Sequence, residues 1–162
     1  MKPENWIALG GVVVTAMLTG VGLIFAPKLA VKRSLEQFQL QRRWELAHKD
    51  YGEITSGLIK TKSYAVRTLN HLLDVDNHDV ISDDDRRIME QTRHRLEVLS
   101  HSPFICEEVG RVVKTVLDKQ DELADCDEDL FQSTDNYVRF IEESLLGIQQ
   151  KARKTFDSNP GA

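Results

Sequence analysis

The sequence predicts an all-α protein in which one N-terminal transmembrane helix precedes a cytoplasmic antiparallel bundle of about four helices. Three observations lead to this fold class. Residues 5–27 form a run of 23 residues without a charged side chain. The later residues place apolar side chains three and four positions apart, which is the period of amphipathic helices. The strict alternation that is typical of half-buried strands is missing from the sequence.

The uncharged run is predicted to remain in the bilayer as an anchor. A helix rises about 1.5 Å per residue, so the run is long enough to cross a hydrocarbon layer of about 30 Å. It is too long for the apolar core of a cleavable signal peptide, and Phe25 stands where a cleavage site requires a small residue. Lys2 is offset by Glu4, whereas Lys28 and the next basic residues follow the run. The positive-inside rule therefore places the N-terminus outside the cell inner membrane and the C-terminal domain in the cytoplasm.

One face of the anchor carries small residues at spacings of three and four. In lipid, helices associate where small residues let their backbones approach, so this stripe predicts a homo-oligomer. The alternative is an ordinary bacterial anchor, in which glycine and alanine are common and the threonines bond their own helix backbone. A further step, in which the two threonines face an aqueous pore in some state, also remains open. The residues of the predicted packing stripe are Ala8, Gly11, Thr15, Thr19 and Gly22.

Residues 28–49 are predicted to form a basic juxtamembrane helical collar. They contain six basic and two acidic residues, a net charge of +4, whereas residues 50–162 have a net charge of −9. The collar suits the anionic lipids of an inner leaflet. The acidic remainder argues against binding to duplex nucleic acid, because phosphates repel it. In the cytoplasm, Cys106 and Cys126 are expected to stay as free thiols.

The bundle is predicted to span residues 34–156, followed by a disordered tail at 157–162. Its first helix runs to about Leu73. The second begins at Ser82, which forms a capping box with Asp85 three residues later. The third is expected to begin at Ser102 with Pro103 in its first position, and the fourth at Asp125 with Glu128. The expected inward-facing residues include Trp44, Tyr51, Leu58 and Leu72 in helix one, Ile88 or Met89 and Leu96 in helix two, Val109 and Val113 in helix three, and Leu130, Tyr137, Ile141 and Ile148 in helix four.

The sequence contains none of the common motifs of phosphate loops, dinucleotide-binding folds, zinc proteases or serine hydrolases. We therefore predict no enzymatic activity, no catalytic residue and no cofactor. The segment 74–79, Asp-Val-Asp-Asn-His-Asp, resembles the start of a calcium loop, but it lacks the glycine at the sixth position. His71 and His78 are a second possible metal pair. A solvated acidic turn explains both observations, so no metal site is predicted.

A candidate ligand-binding face lies on the first bundle helix, opposite the stripe that contains Leu58. Its residues follow one another at spacings of four, three and four, and their cationic and aromatic side chains suit phosphates and bases. A solvated surface or a docking site for an acidic protein are the alternatives. The candidate ligand-binding residues are Lys60, Tyr64, Arg67 and His71 on this face, with Arg87 and His94 on helix two as a second candidate.

The combination of a short anchor, the collar sequence "QRRWELAHKDY" and a small acidic bundle resembles membrane-anchored effectors of prokaryotic antiviral defence. It is most similar in architecture to ancillary effectors of type III CRISPR systems that sense cyclic oligoadenylate. The resemblance implies a cyclic nucleotide ligand, an oligomer, and permeabilisation of the inner membrane as the output. The alternative hypothesis is a membrane-tethered helical scaffold, or partner subunit, that docks another cytoplasmic protein through its bundle.

Overall fold

A computed structural model describes residues 4–73, 81–125 and 129–157, with side chains described from residue 30 onwards. It contains four helices: α1 (Glu4–Leu72), α2 (Asp83–Ser100), α3 (Glu107–Ala124) and α4 (Leu130–Asp157). These described ranges contain no strand. The predictions of an all-α fold and of a helical bundle are therefore confirmed. The acidic segment 74–79, Cys126, Glu128 and the tail after Asp157 lie outside the described residues.

The chain divides into two units, residues 1–43 and residues 44–162. The first unit contains the N-terminal part of α1, and its large apolar side chains Val31, Leu35 and Phe38 are exposed. Where the structure describes side chains, no helix is both long enough and apolar enough to cross a membrane. The side chains of the predicted anchor at 5–27, including its packing stripe, are not among those that the structure describes. The second unit begins at Trp44, ten residues after the predicted start of the bundle.

The core of the second unit is formed by one apolar face from each of its helices. Each fully buried leucine or isoleucine contributes about 1.5–3 kcal/mol to folding through removal of its surface from water. Phe156 at the end of α4 packs edge-on against the Tyr51 ring of α1, with ring centroids 5.6 Å apart. The residues that form the core include Tyr51, Ile54 and Leu58 of α1, Leu96 and Leu99 of α2, Val109, Val113 and Val116 of α3, and Tyr137, Ile141 and Ile148 of α4.

Several residues that were expected to face inward are instead at the ends or edges of this core. Trp44 is 39% exposed, although it stacks on His48 with ring centroids 5.5 Å apart. Leu72 and Leu130 are also exposed, because each lies at the end of its helix. Of the two candidates in α2, Met89 is buried whereas Ile88 is 47% exposed.

Of the three predicted helix starts, only that of α2 is correct. Ser82 accepts a hydrogen bond from the Asp85 N–H, and the Asp85 carboxylate accepts one from the Ser82 N–H. The prediction for α3 is wrong: the helix begins at Glu107, and its N-cap residue is Cys106. The prediction for α4 is also wrong, because Asp125 is the C-cap residue of α3.

Candidate functional site

A groove between α1 and α2 is the candidate ligand site in the described part of the second unit. It has a volume of about 540 Å³. Its floor is formed where Gly57 of α1 meets Leu96 of α2. A Cβ atom at position 57 would lie 2.8 Å from Leu96 Cδ2, so only glycine lets the two helices approach this closely without a shift. This close approach brings polar side chains of both helices to the rim of one groove.

Two cations and one carboxylate line the groove. The Arg95 guanidinium of α2 donates to the Glu53 carboxylate of α1, with Nε 2.8 Å from Oε2. Glu53 also lies 3.8 Å from the Lys49 ammonium, which is one helical turn earlier. Lys60 makes no ion pair within the described residues and lies on the same rim. The groove thus offers one ammonium group that no carboxylate neutralises, next to a guanidinium that has a carboxylate partner.

Neutral polar groups complete the lining. Ser56 and Gln91 are exposed and supply a hydroxyl and a carboxamide. Thr92 lines the groove as well, but its hydroxyl donates to the Ile88 carbonyl at 2.8 Å. Charged and neutral hydrogen-bond donors are the groups that recognise phosphates and carboxylates. The arrangement is therefore suited to holding an anion.

The residues that were expected to form one binding face do lie on one face of α1, because this helix is continuous to Leu72. Lys60 lines the groove, whereas Tyr64, one turn later, lines a second cavity. Arg67 lies 3.1 Å from the Asp85 carboxylate of α2, although the sequence spacing placed no acid beside it. His71 is exposed in the last turn of α1. The binding face thus stays a prediction, with one change: a carboxylate on another helix neutralises Arg67.

The second candidate set on α2 does not join the groove either. Arg87 lies 3.5 Å from Asp84, one turn earlier on the same helix, and both side chains are exposed. His94 is exposed and does not line the groove. The residue that sequence reasoning missed is Arg95. Its position seven residues after Ile88 and four after Gln91 places these three residues on one face of α2, but the sequence does not show that this face meets Gly57.

The described residues contain no group of three or more histidine, cysteine, aspartate or glutamate side chains that could hold a metal ion. Cys106 is a free, exposed cysteine. It accepts a hydrogen bond from the Tyr51 hydroxyl at 3.5 Å, and burial together with this contact raises the pKa of Tyr51. The groove itself contains no cysteine or histidine.

Comparisons of the chain with models of protein families, with curated proteins and with solved structures find no match.

Proposed function

We propose that the protein is a membrane-anchored, oligomeric effector whose bundle binds a phosphorylated ligand in the groove between α1 and α2. The observation that carries this proposal is the Lys60 ammonium, which has no ion-pair partner in the described residues and lines the same groove as Arg95. The ligand class is a nucleotide messenger of the cyclic oligoadenylate type, and the output is permeabilisation of the inner membrane. The ligand class and the output both follow from the architectural resemblance.

The charge of the groove supports an anionic ligand. Residues 50–162 have a net charge of −9, yet this groove contains two cations against one carboxylate. A phosphate placed between Lys60 and Arg95 would receive charge-assisted hydrogen bonds, which are about twice as strong as neutral ones. The Arg95–Glu53 ion pair is more than half exposed on the arginine side. Such pairs contribute only about 0–1 kcal/mol, so a phosphate can replace the carboxylate at low cost.

The sequence before the bundle supports the membrane part of the proposal. Residues 5–27 carry no charge and belong to α1, so their backbone hydrogen bonds are made within the helix. A helix of this length spans about 35 Å. Lys28, Lys32 and Arg33 follow at the end where the inner-leaflet headgroups would lie.

Ligand binding is tested by calorimetry on the full-length protein in lipid nanodiscs, titrated with cyclic oligoadenylates and, separately, with inorganic phosphate. We expect saturable binding of the nucleotide. Lys60→Ala should weaken it by about 10- to 100-fold, because a hydrogen bond to a charged group is worth about 1.5–3 kcal/mol. Glu53→Gln should strengthen it, because it removes the carboxylate that competes for Arg95.

Lys114→Ala is the matched control, since Lys114 is an exposed lysine of α3 that does not line the groove. This variant should bind as the unmodified chain does. If no cyclic oligoadenylate binds, the ligand class is wrong. If Lys60→Ala and Lys114→Ala bind equally well, the groove is not the site.

A further inference from the structure

A second cavity lies in the second unit, further along α1 than the groove, and all four helices contribute to it. Its volume is about 320 Å³. Apolar side chains form most of its wall, including Ala65, Met89 and Leu123. None of the side chains that line it is charged. This inner cavity therefore differs in chemistry from the groove that contains Lys60 and Arg95.

Two polar atoms in the wall of the inner cavity are buried without a hydrogen-bond partner. They are the Tyr137 hydroxyl and the Gln120 Oε1 atom. Tyr137 is only 5% exposed. A buried polar group that lacks a partner costs about 1–3 kcal/mol, so native proteins rarely leave two of them in one place. These are the two atoms that a molecule bound in the cavity would satisfy.

The hydrogen-bonding roles of the two atoms define which donor and acceptor groups a partner must carry. Burial, and to a lesser extent the Asp121 carboxylate, raise the pKa of Tyr137. The phenol therefore stays protonated and can donate. Asp121 is engaged with Arg93, whose Nη2 lies 2.7 Å from its Oδ2. Gln120 Oε1 is an acceptor and needs a donor.

The threonine hydroxyls in the wall are already used. Thr61 donates to the Gly57 carbonyl at 3.1 Å, and Thr134 donates to the Leu130 carbonyl at 2.7 Å. Thr68 likewise donates to the Tyr64 carbonyl at 3.1 Å. These bonds stay within single helices. Tyr64 also lines the cavity, but Tyr137 and Gln120 carry the polar atoms that are buried without a partner.

We propose that the inner cavity binds a small, uncharged, mainly apolar molecule carrying a hydroxyl or carboxamide group, which accepts from Tyr137 and donates to Gln120. A cavity of about 150 Å³ lined by apolar side chains holds one benzene ring, so this cavity suits roughly two fused rings or a chain of similar volume. The absence of charged wall residues disfavours an anion, because its desolvation would not be compensated. This ligand class is distinct from the phosphorylated ligand of the groove, and the inference does not depend on it.

The test uses the full-length protein in lipid nanodiscs with ¹³C-methyl methionine. The chain has three methionines, and Met89 alone lines the inner cavity. Naphthol is the probe, and naphthalene is the matched probe without a hydroxyl. We expect naphthol to shift the Met89 methyl resonance saturably and to bind about fivefold more tightly than naphthalene. Titration of each probe into empty nanodiscs measures its partitioning into lipid.

Tyr137→Phe removes only the unpartnered hydroxyl, so the fold should be kept, and its thermal unfolding checks this. In this variant, the preference for naphthol over naphthalene should be lost or strongly reduced. Gln120→Leu should lower the preference as well, whereas Lys60→Ala should leave it unchanged. An absence of a saturable Met89 shift, as expected for a cavity that holds only water, would overturn the proposal. So would an equal preference for naphthol in Tyr137→Phe and the unmodified chain.

Discussion

Gly110 and Gly147 occupy opposite environments although both are glycines within helices. A Cβ atom at position 110 would lie 2.4 Å from the Ser100 carbonyl oxygen, a backbone atom that cannot rotate away. At position 147 a Cβ atom would meet nothing within 4 Å. Gly110 therefore permits the first turn of α3 to pack against the last residue of α2. Gly147 has no such role in the described structure.

Substitution of the two glycines is predicted to change the free energy of unfolding in opposite directions. Gly110→Ala should lower the free energy of unfolding by about 1–3 kcal/mol, because α3 must move away from Ser100. Gly147→Ala should raise it by up to about 1 kcal/mol, because alanine loses less backbone entropy in a helix. Chemical denaturation followed by circular dichroism measures both values. Equal effects of the two substitutions would show that α2 and α3 do not approach as closely as described.

At the scale of the element, α2 shows how a short sequence signal fixes a helix start. The Asp85 carboxylate accepts hydrogen bonds from the Ser82 hydroxyl and from the Ser82 N–H, at 2.7 and 3.1 Å. These two bonds, and the nearby Arg67 guanidinium, lower the pKa of Asp85 from its ordinary value of 3.8. Because the folded-state pKa is depressed, the stabilisation is present above 3.8 and is lost as the pH falls through the folded-state value.

Asp85→Asn should therefore reduce the loss of stability on acidification below pH 3.8. The unmodified chain gains protons on unfolding in this range, and the variant lacks that site. Thermal unfolding of both proteins from about pH 5 down to about pH 2.5 measures the slope of stability against pH. Asp83→Asn is the control, because it removes a carboxylate from the same turn that does not bond Ser82. The interpretation fails if Asp83→Asn flattens the slope as much as Asp85→Asn does.

The starts of α2 and α3 differ in how far the sequence could predict them. The Ser82–Asp85 box is complete within four residues, so its pattern was sufficient. Ser102 followed by Pro103 shows an equally good start pattern, but the Ser102 hydroxyl donates to the Asp50 carboxylate of α1. It also accepts a hydrogen bond from the Phe104 N–H. A contact between residues 52 positions apart thus determines this turn, and no local pattern contains it.

The candidate site also depends on contacts between distant residues that no local sequence pattern contains. Lys60 was identified from its position on α1, because the spacing of basic residues along one helix is visible in the sequence. Arg95 was missed, and Arg67 was misjudged, because both depend on which residues of α2 lie opposite α1. Glu53 neutralises Arg95 and Asp85 neutralises Arg67 from the facing helix. The pairing of faces between helices, rather than the helices themselves, is what the sequence did not provide.

At the scale of the whole molecule, the charge asymmetry is the feature that the proposed membrane arrangement must explain. Residues 28–49 are strongly basic and residues 50–162 are acidic. An acidic bundle is repelled by an anionic leaflet, whereas the basic collar is attracted to it. The proposal therefore places the collar at the inner leaflet and the bundle in the cytoplasm. Cys106 offers a direct reporter of this arrangement, because it is free and exposed.

In a Cys126→Ser background, Cys106 should react with a membrane-impermeant maleimide in inside-out membrane vesicles and be protected in right-side-out vesicles. The reason is that the positive-inside rule assigns the bundle to the cytoplasmic face. The matched control carries Lys2→Cys together with Cys106→Ser and Cys126→Ser, and it should show the reverse pattern. Labelling of Cys106 in right-side-out vesicles would show that the protein has the opposite orientation, with the bundle outside the cell. Release of the protein from the vesicles by a high-salt wash would exclude the anchor, because salt screens the collar but does not extract a transmembrane helix.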